Sequence, residues 1–374
     1  MAEAAHGAAL LAWLALGVAA GWLAPARWRT CGLLAAGAGL LAWFSPLSLA
    51  ALAVATLTSY AAPRLRRGRT LAVRATIVAV AGGYLFLLWA TQAAWSEGGL
   101  LGAALPLGMA YYVLRIVHYL AEMDRDGFRE HSLYDYALYQ FLPATLFVGP
   151  IHRFDEFLRD LRRRRWDSGG FSLGASRVLW GLVQVVLIGG TLVIAKLTPK
   201  AALTPMEPWV RVYVDALLFW ARLYFLFNGF SDIAIGFARM MGFEVRENFN
   251  RPYLARNIGD FWRRWHMSLS SWCRDYVYMP VLALGRNHTA AAAVSMVVLG
   301  LWHAVSLHYL LWGLYHGLGL AVWRAFSTRT ARVFERLPPA GQAAWTLAAR
   351  VATLHFVIFS FAVTSAVERL LLGS

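Results

Sequence analysis

Ala75–Trp95 reads ATIVAVAGGYLFLLWATQAAW, a run without one charged side chain. A helix needs about 20 mostly apolar residues to cross the hydrocarbon of a bilayer, and this stretch has that length. Working outward, similar stretches lie on both sides. Ala8–Ala24, Cys31–Phe44 and Leu47–Ala62 precede it, and Leu100–Leu120, Phe171–Leu197 and Trp209–Phe227 follow. Ala290–Leu301, Tyr309–Phe326 and Ala343–Leu372 complete the series. Two of these are short enough to be half-helices, which predicts roughly nine to eleven elements. Backbone groups in lipid must be paired within the segment, so the elements are helices and the fold class is all-α.

Composition agrees. Of 374 residues, 59% are hydrophobic and 15% charged, against about 25% charged in a soluble domain. No polar linker separates two cores, so the reading is a single membrane domain over 1–374. Its N-terminal helices occupy 1–100 and a C-terminal helical part occupies 324–374. Ala8–Ala24 resembles a signal peptide in length, but Met1–Gly7 holds Glu3 and no Lys or Arg. A signal peptide carries a positive leader, so the segment is expected to be retained.

The net charge of +15 is unevenly placed. Arg27 and Arg29 follow the first span. Arg64, Arg66, Arg67, Arg69 and Arg74 follow the third, and Arg159, Arg162, Arg163, Arg164 and Arg165 precede Phe171. The alternate loops near Ser45–Pro46 and Ser96–Gly99 hold no basic residue. The positive-inside rule therefore puts the arginine loops in the cytoplasm and the N-terminus outside. Short basic loops between spans point to anionic lipid and not to nucleic acid. Cys31 and Cys273 form no disulfide framework or zinc pattern.

The character of the chain changes at Asn228-Gly229-Phe230-Ser231-Asp232, where an amide and an acid enter an apolar helix. Arg246–Arg256 is polar and contains Asn248, Asn250 and Pro252. Next comes Asp260-Phe261-Trp262-Arg263-Arg264-Trp265-His266-Met267-Ser268-Leu269-Ser270, running through Asp275 to Pro280. This segment is aromatic enough for a membrane and too charged to face lipid, which predicts a re-entrant or interfacial helix lining a cavity. A second polar island, Gly300-Leu301-Trp302-His303, lies among apolar residues, with His308 and His316 beyond it. Histidines inside a span mark a functional site by default. Two of them without cysteine or clustered carboxylates make a poor metal site, so no bound metal or cofactor is expected. They suit general base work instead. No side chain stands out as a covalent nucleophile. Direct attack of a hydroxyl on an activated acyl carbonyl fits best.

These stretches also resemble a known family. Asn228–Phe243, Glu247–Leu254, Phe261–Pro280 and Leu299–His303 are similar to the membrane-bound O-acyltransferases, in the branch of alginate O-acetylation and teichoic-acid D-alanylation. Val148–Phe157 looks like a further motif of that branch. The resemblance covers roughly 105–323, which it marks as the catalytic core. It implies a ring of tilted transmembrane and re-entrant helices around a central tunnel. It places the family's catalytic histidine on His303 and its second catalytic position on His266. His303 would accept the proton of the acceptor hydroxyl, and His266 would position or polarise the acyl carbonyl. Asn250, Arg264, Ser268, Asp275 and Trp302 would line the tunnel. Asp232 is read as a helix-packing acid, and His118, His131 and His152 as interfacial. Ala304 stands where the branch commonly has Gly, and Val281–Asn287 lacks its paired glycines.

The expected function is transfer of an acetyl or other short acyl group from a cytoplasmic thioester to a hydroxyl of an extracytoplasmic envelope polysaccharide. The donor would be acyl-CoA or an acylated carrier protein. A periplasmic acetyltransferase partner and a bacterial inner-membrane location go with it. D-alanyl-type transfer from a carrier protein is the first alternative, and acylation of a small lipid differs only in the acceptor. From another class, a glycan or lipid flippase would explain the spans but not the two histidines.

Overall fold

The computed structural model describes residues 2–65, 69–96, 108–123 and 128–373. The expected loop Ser96–Gly99, the basic residues Arg66 and Arg67, and the start of the Leu100–Leu120 span fall wholly or partly outside them. Among the described residues the structure is helical, without a β-strand. Four helical stretches among the described residues are long and apolar enough to cross a membrane: His6–Leu23, Pro46–Arg64, Thr70–Thr91 and Ser168–Leu203. A bent pair near the C-terminus makes a fifth if it counts as one span. The protein is a polytopic all-α membrane protein. Its apolar surface fits that class, since Val78, Phe86 and Trp89 expose more than half their area, as lipid permits.

The chain forms two compact units, 1–182 with 229–246, and 183–228 with 247–374. The first unit opens with α1 (Ala2–Leu23), α2 (Arg29–Phe44), α3 (Pro46–Leu65) and α4 (Arg69–Ser96). It continues through α5 (Met109–Met123), α6 (Leu133–Gln140) and α7 (Phe154–Arg163) into α8 (Ser168–Leu182). An aromatic cluster forms its centre: Tyr119 stacks on Tyr136 at 3.8 Å between centroids, and Phe157 on Phe243 at 5.1 Å. The described part of the Leu100–Leu120 span is α5, whose Arg115 is only 1% exposed and donates to the Tyr139 carbonyl. His118 and His152 are also buried, not interfacial as expected. His118 Nε2 accepts the Phe154 N–H at 2.8 Å, which ties α5 to the start of α7. A histidine can satisfy a helix-start N–H in this way, and periodicity alone does not reveal it.

Two helices run from one unit into the other. From Val183 the α8 helix continues as wide π turns to Leu197 and ends in α9 (Thr198–Leu203). The hydroxyls of Thr191 and Thr198 bond carbonyls five residues back, as a π register requires. The second is α10 (Pro208–Met240). In the first unit α8 and α10 meet through glycines. A Cβ on Gly174 would stand 2.7 Å from the Gly236 oxygen, and one on Gly181 2.6 Å from the Gly229 oxygen. Small residues let backbones approach this closely in membrane helices. Asp232 lies in the same seam, bonded by Arg177 Nε and Nη2, each at 2.8 Å. It is the packing acid that its sequence position suggests.

The second unit contains α11 (Ile258–Trp262), α12 (Met267–Cys273) with π turns to Tyr278, and α13 (Met279–Gly285). Then follow α14 (His288–His303), α15 (Leu307–Glu335), α16 (Pro339–Ile358) and α17 (Ser360–Leu372). The expected segment Ala343–Leu372 is thus broken at Phe359, with a 43° bend. The Trp312 indole N–H bonds the Ser360 hydroxyl at 3.2 Å, fixing the start of α17.

Candidate active site

Short polar helices carry the first half of the site. Asn257 caps α11, its side chain accepting the Asp260 N–H at 2.7 Å. The chain then turns at His266, whose φ of +43° lies in the left-handed region. A non-glycine residue there is uncommon and calls for support. Asn248, fully buried, supplies it. Its Oδ1 accepts from the Ser268 hydroxyl at 2.8 Å and the Ser268 N–H at 3.4 Å, and contacts His266 Nδ1 at 3.1 Å. An oxygen that already accepts two protons assigns the third contact as Nδ1–H donating. His266 Nε2 then carries the lone pair. It is buried and has no hydrogen-bond partner among the described residues.

The second half sits on α14 and α15, which pack through glycines. A Cβ on Gly300 would stand 2.3 Å from the Tyr309 oxygen, and one on Gly313 2.6 Å from the Met296 oxygen. This contact brings the last residue of α14, His303, over α15. Its ring stacks at 5.6 Å on Tyr309 and meets Trp312 edge-on at 6.0 Å. Trp302 lies beside both histidines, 4.6 Å from the His303 ring and 6.3 Å from that of His266.

Both histidines line one cavity of about 170 Å³ in the second unit. His303 keeps exposed surface there, while His266 is 2% exposed. Apolar and aromatic walls enclose the pair, among them Phe227, Leu269, Leu299 and Phe361. The volume corresponds to roughly six waters at about 30 Å³ each.

The other sequence candidates stand elsewhere. Arg264 is committed to Asp260 at 2.9 Å and to the Asn250 carbonyl at 3.3 Å. Asn250 itself is exposed and receives Arg264 at its backbone, so the two clamp the loop before α11. Ser268 spends its hydroxyl on Asn248, and Asp275 pairs with Arg274 at 2.9 Å. None of these four, nor Trp302, contributes to the cavity wall. From sequence, Asn248, Trp262 and Trp220 have no assigned role, and His316 is marked only as a histidine within a span. Trp262, Trp220 and His316 line the cavity, and their buried ring nitrogens have no partner among the described residues. A second histidine thirteen residues after His303 in an apolar run was the available signal for His316.

Fold and cavity define a polytopic membrane protein with a histidine-lined internal site. Comparison with known proteins gives the family. The MBOAT, membrane-bound O-acyltransferase family model matches residues 104–366, and the chain belongs to that family. It is 35% identical over 263 residues to a probable alginate O-acetylase of Pseudomonas aeruginosa, covering 68% of this chain and 48% of that protein. It is 29% identical over 279 residues to a teichoic acid D-alanyltransferase of Bacillus subtilis, covering 69% of this chain and 68% of the other. A peptidoglycan O-acetyltransferase of Helicobacter pylori is 32% identical over 235 residues, 60% of this chain and 43% of that protein. The chain spans about half the length of the acetylating relatives it matches.

Proposed function

We propose that the protein transfers an acetyl or other short acyl group from a thioester to a hydroxyl of an envelope polysaccharide, with His303 as general base. The observation that carries this reading is the small cavity that His303 and His266 share, with the buried His266 Nε2 unpartnered among the described residues. The acceptor hydroxyl gives its proton to His303 as its oxygen bonds the acyl carbon. The carbonyl becomes a tetrahedral oxyanion. Its collapse breaks the carbon–sulfur bond, and the departing thiolate takes the proton back from the His303 imidazolium. A positioned base of this kind contributes about 10²–10⁴-fold. The apolar walls exclude water and so protect the thioester from hydrolysis.

With Nδ1–H given to Asn248, His266 offers a lone pair and not a donor. That suits holding a sugar hydroxyl next to the attacking one better than polarising the acyl carbonyl. A small cavity favours acetyl-sized groups, and the two acetylating relatives point the same way. D-alanyl transfer is the second reading, favoured by the likeness to the teichoic acid enzyme over two thirds of both chains.

The donor, acyl-CoA or an acylated carrier protein, approaches from the cytoplasm of a bacterial inner-membrane protein whose N-terminus is outside. A periplasmic acetyltransferase acts as partner on the other face. The arginines before α8 support that orientation and offer a docking surface for an acidic donor. The test is purified protein given radiolabelled acetyl-CoA and, separately, an aminoacylated carrier protein. Transfer to added glycan or slow thioester hydrolysis is expected. A protein inert to both thioesters would contradict the proposal.

A further inference from the structure

Four ring nitrogens other than those of His303 and His266, on residues that line the cavity, are buried without a partner among the described residues. They are Trp220 Nε1, Trp262 Nε1 and both nitrogens of His316. His316 is 1% exposed, and Trp262 9%. A buried polar atom left unpaired loses its hydration without compensation, so such atoms in a native fold call for an explanation. The surroundings do not provide one. His316 is held edge-on by Trp262 at 5.3 Å and by Tyr315 at 5.5 Å, and tilted against Trp312 at 4.5 Å. These contacts fix the ring without satisfying it. On the same wall Trp312 spends its indole N–H on Ser360. The indoles of Trp220 and Trp262 and the His316 imidazole are therefore unused donors within the cavity wall.

Acyl transfer needs donors of this kind. When the hydroxyl oxygen adds to the carbonyl, negative charge moves to the carbonyl oxygen. Neutral N–H groups in a dry site stabilise that charge strongly. His266 does not supply one in the tautomer that Asn248 sets. We propose that His316 and Trp262 bind the acyl carbonyl oxygen and stabilise the oxyanion, which makes His316 a third histidine of the reaction. The proposal rests on the acyl-transfer reading above. It assigns the hydrogen-bond donors, while the proton moves between hydroxyl, His303 and thiolate as already described.

The test compares wild type, His316→Phe, His316→Gln and Trp262→Phe in transfer from acetyl-CoA, alongside thermal unfolding. His316→Phe keeps a ring of similar shape and removes both unpaired nitrogens. Its unfolding midpoint is expected to hold or rise, while kcat falls about 10²–10³-fold with little change in KM. His316→Gln, which retains a donor, is expected to recover part of the loss. Trp262→Phe removes the indole N–H and is expected to lower kcat at least about tenfold, which tests the proposal independently if His316→Phe folds poorly. A purely structural role would lower stability without separating kcat from KM. Wild-type kcat in folded His316→Phe and Trp262→Phe overturns the proposal and leaves the acyl-transfer reading intact. Absence of transfer by wild type overturns that reading, and this inference with it.

Discussion

At the scale of single residues, the site depends on which nitrogen carries a proton. His303→Ala should fold and lose at least about 10² in transfer rate. His303→Asn should be equally inactive, because an amide cannot take up a proton. His266→Asn should retain more activity than His266→Ala, since it needs only to hydrogen-bond. Steady-state transfer assays of the four variants separate the roles, and rescue by Asn at 303 but not at 266 would exchange them. The polar islands that hold both histidines were legible in the sequence, because polar residues within an apolar run are costly and so have a purpose, and the family resemblance singled out the two positions. The partners of His266 were less legible. Asn248 is eighteen residues away, and its importance comes from a left-handed turn that no spacing announces. Asn250, Arg264 and Asp275 are as polar as Asn248, but Arg264 ties Asp260 to the Asn250 carbonyl and Asp275 pairs with its neighbour Arg274, away from the cavity wall. Residue type alone does not distinguish the two uses.

At the scale of elements, glycine contacts set where the site residues stand. Gly300→Val would drive a side chain into the Tyr309 carbonyl and push α14 from α15. Overpacking of this kind costs about 1–3 kcal/mol. It is expected to lower the unfolding midpoint and, by moving His303, to reduce transfer more than tenfold. In the first unit, Asp232→Ala removes the ion pair with Arg177. The Arg177 side chain keeps 28% exposure, so the cost should fall between the roughly 0–1 kcal/mol of an exposed pair and the roughly 3–5 kcal/mol of a fully buried one. Chemical unfolding in detergent measures both. Spans such as α4 were legible from length and lack of charge. The break at Phe359 was not, because no Pro or Gly marks it and a tertiary bond from Trp312 to Ser360 fixes the start of α17. The buried face of α5 was hidden likewise, since Arg115 and His118 read as polar while the fold places them inside.

At the scale of the whole molecule, the arginine cluster before α8 divides into fixed and free members. Arg164 donates to the Met241 and Gly21 carbonyls at 2.7 and 2.6 Å and stacks on Trp22. Burial, with Arg29 nearby, lowers its pKa to about 10, and it remains charged at pH 7. Arg162 donates to the Glu130 carbonyl at 2.6 Å. Arg163 and Arg165 are exposed and line a shallow pocket of the same unit. If the cluster docks an acidic donor, the double variant Arg163→Gln, Arg165→Gln should raise the donor KM, more at low salt than at high. An equal KM across ionic strength would leave these residues only a topological role. The central claim is transfer from a thioester on one side of the membrane to a hydroxyl on the other. It is tested most directly in proteoliposomes that enclose an acceptor glycan, with radiolabelled acetyl-CoA added outside. Label should appear as ester on the enclosed glycan with wild-type protein and fall at least about 10²-fold with His303→Ala. Label that reaches glycan only on the donor's own side, or that is unchanged by His303→Ala, would contradict the account.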